Sequence, residues 1–119
     1  MISDQFQSKA QKLLLEYRPN LWRKSVLETV PEVGGNALQA CVNQIQLTQR
    51  LAEMLRNNHL GEKLYWIIYA SYMTVRQPCD VVEILAVIAE KHERIARSTY
   101  FRLKERAIRI MDEQLKAIA

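Results

Sequence analysis

Basic side chains cluster in one stretch near the end of the 119-residue sequence. Residues 1–90 carry nine basic and nine acidic side chains, so the whole net charge of +4 comes from residues 91–119, which carry eight basic and four acidic ones. Concentrated cations are the electrostatic footprint of a phosphate-binding surface. Six of them lie between positions 94 and 109 with a single acid, Glu105: Arg94, Arg97, Arg102, Lys104, Arg106 and Arg109.

The same stretch has the spacing of an amphipathic helix. One face, predicted to face the core, carries Tyr100, Leu103, Ala107, Ile110, Met111 and Gln114. The opposite face carries Ser98, Phe101, Arg102, Glu105 and Arg109, with Arg97, Lys104 and Arg106 beside it. Arginine pairs bidentately with guanine or phosphate, and a hydroxyl near a helix start can donate to phosphate. The outward face therefore suits a helix in the DNA major groove, with the flanking cations on the phosphates.

Phe101 interrupts the otherwise polar outward face. An aromatic ring at this position could contact a thymine methyl group. It could equally pack on a neighbouring loop or on a second subunit. The sequence leaves both alternatives open.

Residues that could support other chemistry have no suitable partners. His59 and His92 lack a Cys or His at metal-ligand spacing, so no metal site is expected. Ser98 lies in no nucleophile motif and no glycine-rich phosphate loop occurs, so neither an enzyme nor a cofactor is predicted. Cys41 and Cys79 are predicted to be buried free thiols. Trp22 and Trp66 are predicted to be core or interface anchors, because their neighbourhoods are not basic.

Hydrophobic periodicity predicts helices along most of the chain. A first helix from Asp4 to Tyr17 is expected to end or kink at Arg18, before Pro19, and a second to cover residues 21–30. The segment PEVGG, residues 31–35, is predicted to be a linker, and Asn36 to cap a helix that reaches Asn57. Further helices are expected over residues 62–75, over 81–91 with Asp80 as the cap, and over 97–116.

The run STYFRLKERAI, residues 98–108, resembles the recognition helix of the autolysin regulatory protein (ArpU) family of phage-type regulators, which is itself similar to region 4 of sigma factors. AQKLLLEYR, residues 10–18, and LYWIIYASYM, residues 64–73, resemble two further helices of that family. The resemblance implies a helix-turn-helix in which Ser98, Thr99, Phe101 and Arg102 form the DNA-facing start of the last helix. Two departures are a turn that shifts the expected helix cap to Ser98, and a longer spacing than in a compact helix-turn-helix.

Together these features predict an all-α fold of five or six helices. Residues 1–60 would form a helical arm that pairs two copies, and residues 62–119 a DNA-binding unit of a transcriptional regulator. No apolar run is long enough to span a membrane and no signal peptide is recognised, so a cytoplasmic location is expected. The alternatives are a helical module that docks an acidic partner, such as an RNA polymerase subunit or an anti-activator, and a phage packaging or replication accessory protein that binds DNA without sequence preference.

Overall fold

α-Helices make up almost all of the described chain. The computed structural model describes residues 8–118, with the backbone alone described for residues 31–34. Over this range there are six α-helices and no strand, which confirms the predicted all-α fold. The helices are α1 (Lys9–Leu15), α2 (Tyr17–Glu28), α3 (Pro31–Met54), α4 (Gly61–Ile68), α5 (Val81–Lys91) and α6 (Arg97–Ile118). A 3₁₀ turn (Leu55–Asn57) follows α3, and a π turn (Tyr69–Met73) extends α4.

The first two helices follow each other almost without a break. Ser8 caps α1 by accepting a hydrogen bond from the Gln11 N–H at 3.0 Å, and the first residues of the predicted helix, 4–7, lie outside the described residues. The predicted end or kink does not lie at Arg18, because the break between α1 and α2 is at Glu16, and α2 begins at Tyr17 and continues through Arg18 and Pro19. Pro19 lies in the first turn of α2, where a backbone N–H has no acceptor within the helix, so its missing donor costs nothing.

The predicted linker PEVGG is helical. α3 begins at Pro31. The prediction that Asn36 caps this helix is therefore wrong, because Asn36 lies inside it. Proline suits a first helical position because its fixed φ is helical and its N–H would have no partner there. Each glycine costs a helix only about 1 kcal/mol relative to alanine. That cost is too small to end a 24-residue helix whose later side chains Cys41, Ile45 and Leu51 are buried.

Buried side chains from residues 1–60 and from residues 62–119 belong to one hydrophobic core. Leu14 of α1 and Leu51 of α3 are in the same buried cluster as Ile67 of α4 and Tyr100 and Met111 of α6. The two segments therefore pack against each other. Their assignment to separate roles, pairing and DNA binding, stays a prediction.

The prediction that both cysteines are buried is wrong for one of them. Cys41 is buried, as expected, but Cys79 is exposed on the connection between α4 and α5. Of the two roles predicted for Trp22, core and interface anchor, the structure excludes the core, since 71% of its surface is exposed on α2, and the interface role stays a prediction. Trp66 is half-buried and packs edge-on against Tyr65 and Tyr69, at ring-centre distances of 5.0 and 5.3 Å.

Gly61 allows a close backbone approach at the start of α4. Leu60 before it has left-handed backbone angles, φ 62° and ψ 27°, which turn the chain sharply between the 3₁₀ turn and α4. A Cβ atom on Gly61 would lie 2.5 Å from the carbonyl oxygens of both Leu55 and Arg56. Because both obstacles are backbone atoms, a side chain at this position forces the backbone to move.

Gly61→Ala should therefore lower the free energy of unfolding by about 1–3 kcal/mol, the usual cost of overpacking. Gly35→Ala is the matched control, because a Cβ on Gly35 meets nothing within 4 Å and the residue lies inside α3. This control should raise stability by about 0.5–1 kcal/mol through better helix propensity. Urea denaturation measures both changes, and equal effects of the two variants would contradict the described backbone.

Candidate nucleic-acid interface

The inner face of α6 is buried along its length, as its spacing predicts. Tyr100, Ala107 and Met111 have no exposed surface, and Leu103 is 3% exposed. Gln114 is half-buried and its Nε2 donates to the carbonyl oxygen of Leu51 at 3.2 Å. Ile110, the remaining residue predicted for this face, is partly buried against the core. This packing fixes which side of α6 faces solvent.

Tyr100 attaches the start of α6 to the π turn. Its hydroxyl lies 2.8 Å from Ser71 Oγ, and Ser71 Oγ lies 2.7 Å from the carbonyl oxygen of Ile67. Since a serine hydroxyl has one hydrogen, which Ser71 donates to Ile67, the tyrosine hydroxyl is the donor in the first bond. Burial raises the pKa of Tyr100, so this donor keeps its proton.

Polar side chains fix the start of α5 and the connection that follows this helix. Asp80 caps α5, as predicted, by accepting a hydrogen bond from the Glu83 N–H at 2.9 Å. After α5, residues 92–96 lead into α6, and Glu93 in this connection lies 3.0 Å from Lys63 Nζ of α4. Hydrogen bonding to Lys63 lowers the pKa of Glu93, which keeps the carboxylate ionised.

Ser98 is not the helix cap that the sequence predicts. α6 begins one residue earlier, at Arg97, and the Tyr100 N–H donates to the Ala96 carbonyl at 2.9 Å. Ser98 therefore lies within the first turn, with its side chain exposed. A hydroxyl in this position is accessible to a partner that approaches the start of α6.

The structure exposes most of the residues predicted to bind DNA. The exposed ones are Arg94, Arg97, Ser98, Phe101, Arg102, Glu105 and Arg109. Thr99, Lys104 and Arg106 are half-buried at the edges of this surface. All except Arg94 lie on α6, and Arg94 lies on the connection immediately before it. We call the seven exposed residues the outward face.

Most cations of this region lack an acidic partner. Arg109 Nη2 lies 3.4 Å from Glu105 Oε1 in an exposed pair. For Arg94, Arg97, Arg102 and Arg106, no carboxylate within the described part of the chain lies at ion-pair distance. The positive charge of the outward face is therefore available to an anionic partner.

Lys104 is turned toward an aromatic cluster. Its ammonium lies 5.5 to 5.8 Å from the ring centres of Tyr72, Tyr100 and Phe101, within the range of cation–π attraction. Burial lowers the pKa of Lys104. The Lys104 side chain therefore makes cation–π contacts with these rings and also adds positive charge near the outward face.

Helix α1 borders the outward face, which the sequence did not predict. Asp112 Oδ1 accepts a hydrogen bond from the Ala10 N–H at 2.9 Å. A groove of about 390 Å³ runs between the two helices. It is lined by Ser8, Gln11, Phe101, Lys104, Glu105, Ile108, Arg109 and Asp112. The helical spacing of Phe101, Ile108 and Asp112 marks one side of α6, but no local signal identifies α1 as its neighbour.

Comparisons with protein-family models, with curated proteins and with solved structures found no match to the chain. Among the described helices, none is long and apolar enough to cross a membrane. Over the same residues, no three side chains of His, Cys, Asp or Glu come together in a way that could hold a metal ion.

Leu103→Ala should lower the free energy of unfolding by about 2–5 kcal/mol, because it opens a cavity under the buried face of α6. Arg102→Ala is the neighbouring control and should change stability by less than about 0.5 kcal/mol, since Arg102 is exposed. Thermal melting followed by circular dichroism compares the two. If Leu103→Ala has the same melting temperature as the wild type, the orientation of α6 described above is incorrect.

Proposed function

We propose that this chain binds double-stranded DNA through the outward face of α6 and acts as a sequence-specific transcriptional regulator. The observation that carries the DNA-binding proposal is that Arg94, Arg97 and Arg102 of this face, and Arg106 at its edge, have no carboxylate partner among the described residues. They lie before and along the first half of a helix whose inner side chains Tyr100, Leu103 and Ala107 are buried. Phosphate groups would neutralise these cations, with release of counterions that favours binding.

The length of the outward face suggests a division of roles along it. At 1.5 Å per residue, Arg109 lies about 16 Å along the axis from Ser98, whereas the major groove is about 12 Å wide. A helix that enters the groove by its first turns would bring Ser98 and Arg102 to the bases. Arg109, further along, would then lie near a phosphate, with Glu105 holding its side chain.

Regulation of transcription rests on the resemblance of residues 98–108 to the recognition helix of phage-type regulators. In the structure, the element before this helix is α5, and a five-residue connection joins the two. We further propose that residues 1–60 pair two copies. Trp22 and Val26, four residues apart on α2, are 71% and 41% exposed and supply apolar surface for that contact.

Replacing single arginines should separate base recognition from phosphate attraction. On a duplex selected by the full chain from a random pool, Arg102→Ala should lose about 1–3 kcal/mol of binding free energy and relax the preference at one base position. Arg109→Ala should weaken all duplexes alike and reduce the slope of log affinity against log salt by about 0.9, the contribution of one phosphate. Fluorescence anisotropy over a salt series measures both.

Both variants should melt like the wild type, because neither side chain is buried. A folded Arg102→Ala protein with unchanged affinity and unchanged base preference would mean that α6 does not read bases. Enrichment of no motif, with tight binding retained, would indicate a DNA-binding protein without sequence preference. Absence of duplex binding at low salt would favour a protein partner for the same face.

A further inference from the structure

Phe101 is an apolar side chain surrounded by cations on the outward face. Its exposed fraction is 43%, whereas the adjacent Tyr100 is completely buried. An exposed aromatic ring gains free energy when a partner covers it. The ring lines the groove between α1 and α6 together with Ser8 and Gln11, and its exposed part can contact a partner that binds this face.

The ring is held in place before any partner binds. It packs edge-to-face on Tyr100, with a ring-centre distance of 5.0 Å and an interplanar angle of 65°. The guanidinium carbon of Arg97 and the ammonium of Lys104 lie 5.6 and 5.7 Å from the centre of the Phe101 ring. Because Tyr100 is fixed by its buried hydroxyl, the direction of the Phe101 ring is fixed through it.

The position of Phe101 on α6 determines which group of a bound duplex its ring would contact. It is the fifth residue of α6, next to Arg102 and one turn from Arg97. If phosphates bind the flanking cations, the ring faces the base edges between them. In the major groove, thymine alone among the four bases offers an apolar group at its edge, the C5 methyl, while the other edges offer donors and acceptors.

We infer that Phe101 recognises thymine by covering its C5 methyl group, and that the DNA site preferred by this protein contains thymine at the corresponding position. The inference rests on the proposed function, since it requires that α6 enter the major groove. It decides between the two alternatives that the sequence leaves open for Phe101, in favour of the base contact.

Replacement of thymine by deoxyuridine removes this methyl group and nothing else. In the duplex that the full chain selects from a random pool, each thymine is replaced in turn. At one position or more, deoxyuridine should weaken binding roughly threefold to fivefold, the value of one buried methyl group. Phe101→Ala should bind the thymine duplex more weakly and should no longer distinguish thymine from deoxyuridine at that position.

Ile118→Ala is the matched control, since Ile118 is also an exposed apolar residue of α6, 38% exposed, but lies at its far end. This variant should keep the full thymine preference. Circular dichroism melting verifies that Phe101→Ala remains folded.

Four results would overturn the inference. A selected duplex in which every thymine tolerates deoxyuridine would overturn it while leaving the proposed function intact. So would a Phe101→Ala protein that keeps the thymine preference, or one that loses it only because a dimer seen by sedimentation has dissociated. Failure of the full chain to bind any duplex at low salt would overturn both proposals together.

Discussion

The buried face of α6 is the contact on which the remaining arrangement depends. Three separate parts of the chain form hydrogen bonds with side chains of this helix. The Ala10 N–H donates to Asp112, the Leu51 carbonyl accepts from Gln114, and the Ser71 hydroxyl accepts from Tyr100. Between these bonds, apolar side chains from α1, α3 and α4 share one core with α6. Loss of the inner face would leave polar groups unpaired as well as open a cavity, and an unpaired buried group alone costs about 1–3 kcal/mol.

This fixation has an electrostatic consequence. Because the inner face cannot turn outward, Arg97, Arg102 and Arg109 share the opposite side of α6, where their like charges repel one another. Among the acidic residues of the stretch 91–119, Glu105 is paired with Arg109, Glu93 is paired with Lys63, and Asp112 accepts a backbone hydrogen bond. The acids nearest to the cluster therefore leave most of its charge uncompensated. An anionic partner would relieve that repulsion. Since the exposed cations lie along one helix, a DNA groove, which admits a single helix, suits them.

Local signals in the sequence were sufficient to predict the cap of α5 and the buried positions of α6, next to the candidate interface. The Asp80 cap and the buried positions Tyr100, Leu103, Ala107 and Met111 were predicted correctly, because capping and helical periodicity are properties of a few neighbouring residues. Both faces of α6 could be assigned in this way. The same reasoning identified the cations but could not show which of them have acidic partners.

Elsewhere, tertiary packing overrode the local signals. Pro19 and PEVGG look like helix ends, yet each lies where a proline or glycine costs little, and burial of the following residues stabilises the longer helices. The contact of α1 with α6 joins positions 102 residues apart, which no local pattern encodes. Likewise, the exposure of Cys79 and Trp22 depends on what packs around them rather than on their residue type.

The central claim is that the outward face of α6 binds duplex DNA, and titration of the isotope-labelled full chain with duplex DNA, followed by NMR, tests it most directly. The account predicts that the largest chemical-shift changes occur at residues 94–109, including Ser98 and Arg102. Changes centred on α2 and α3, with α6 unaffected, would contradict the account.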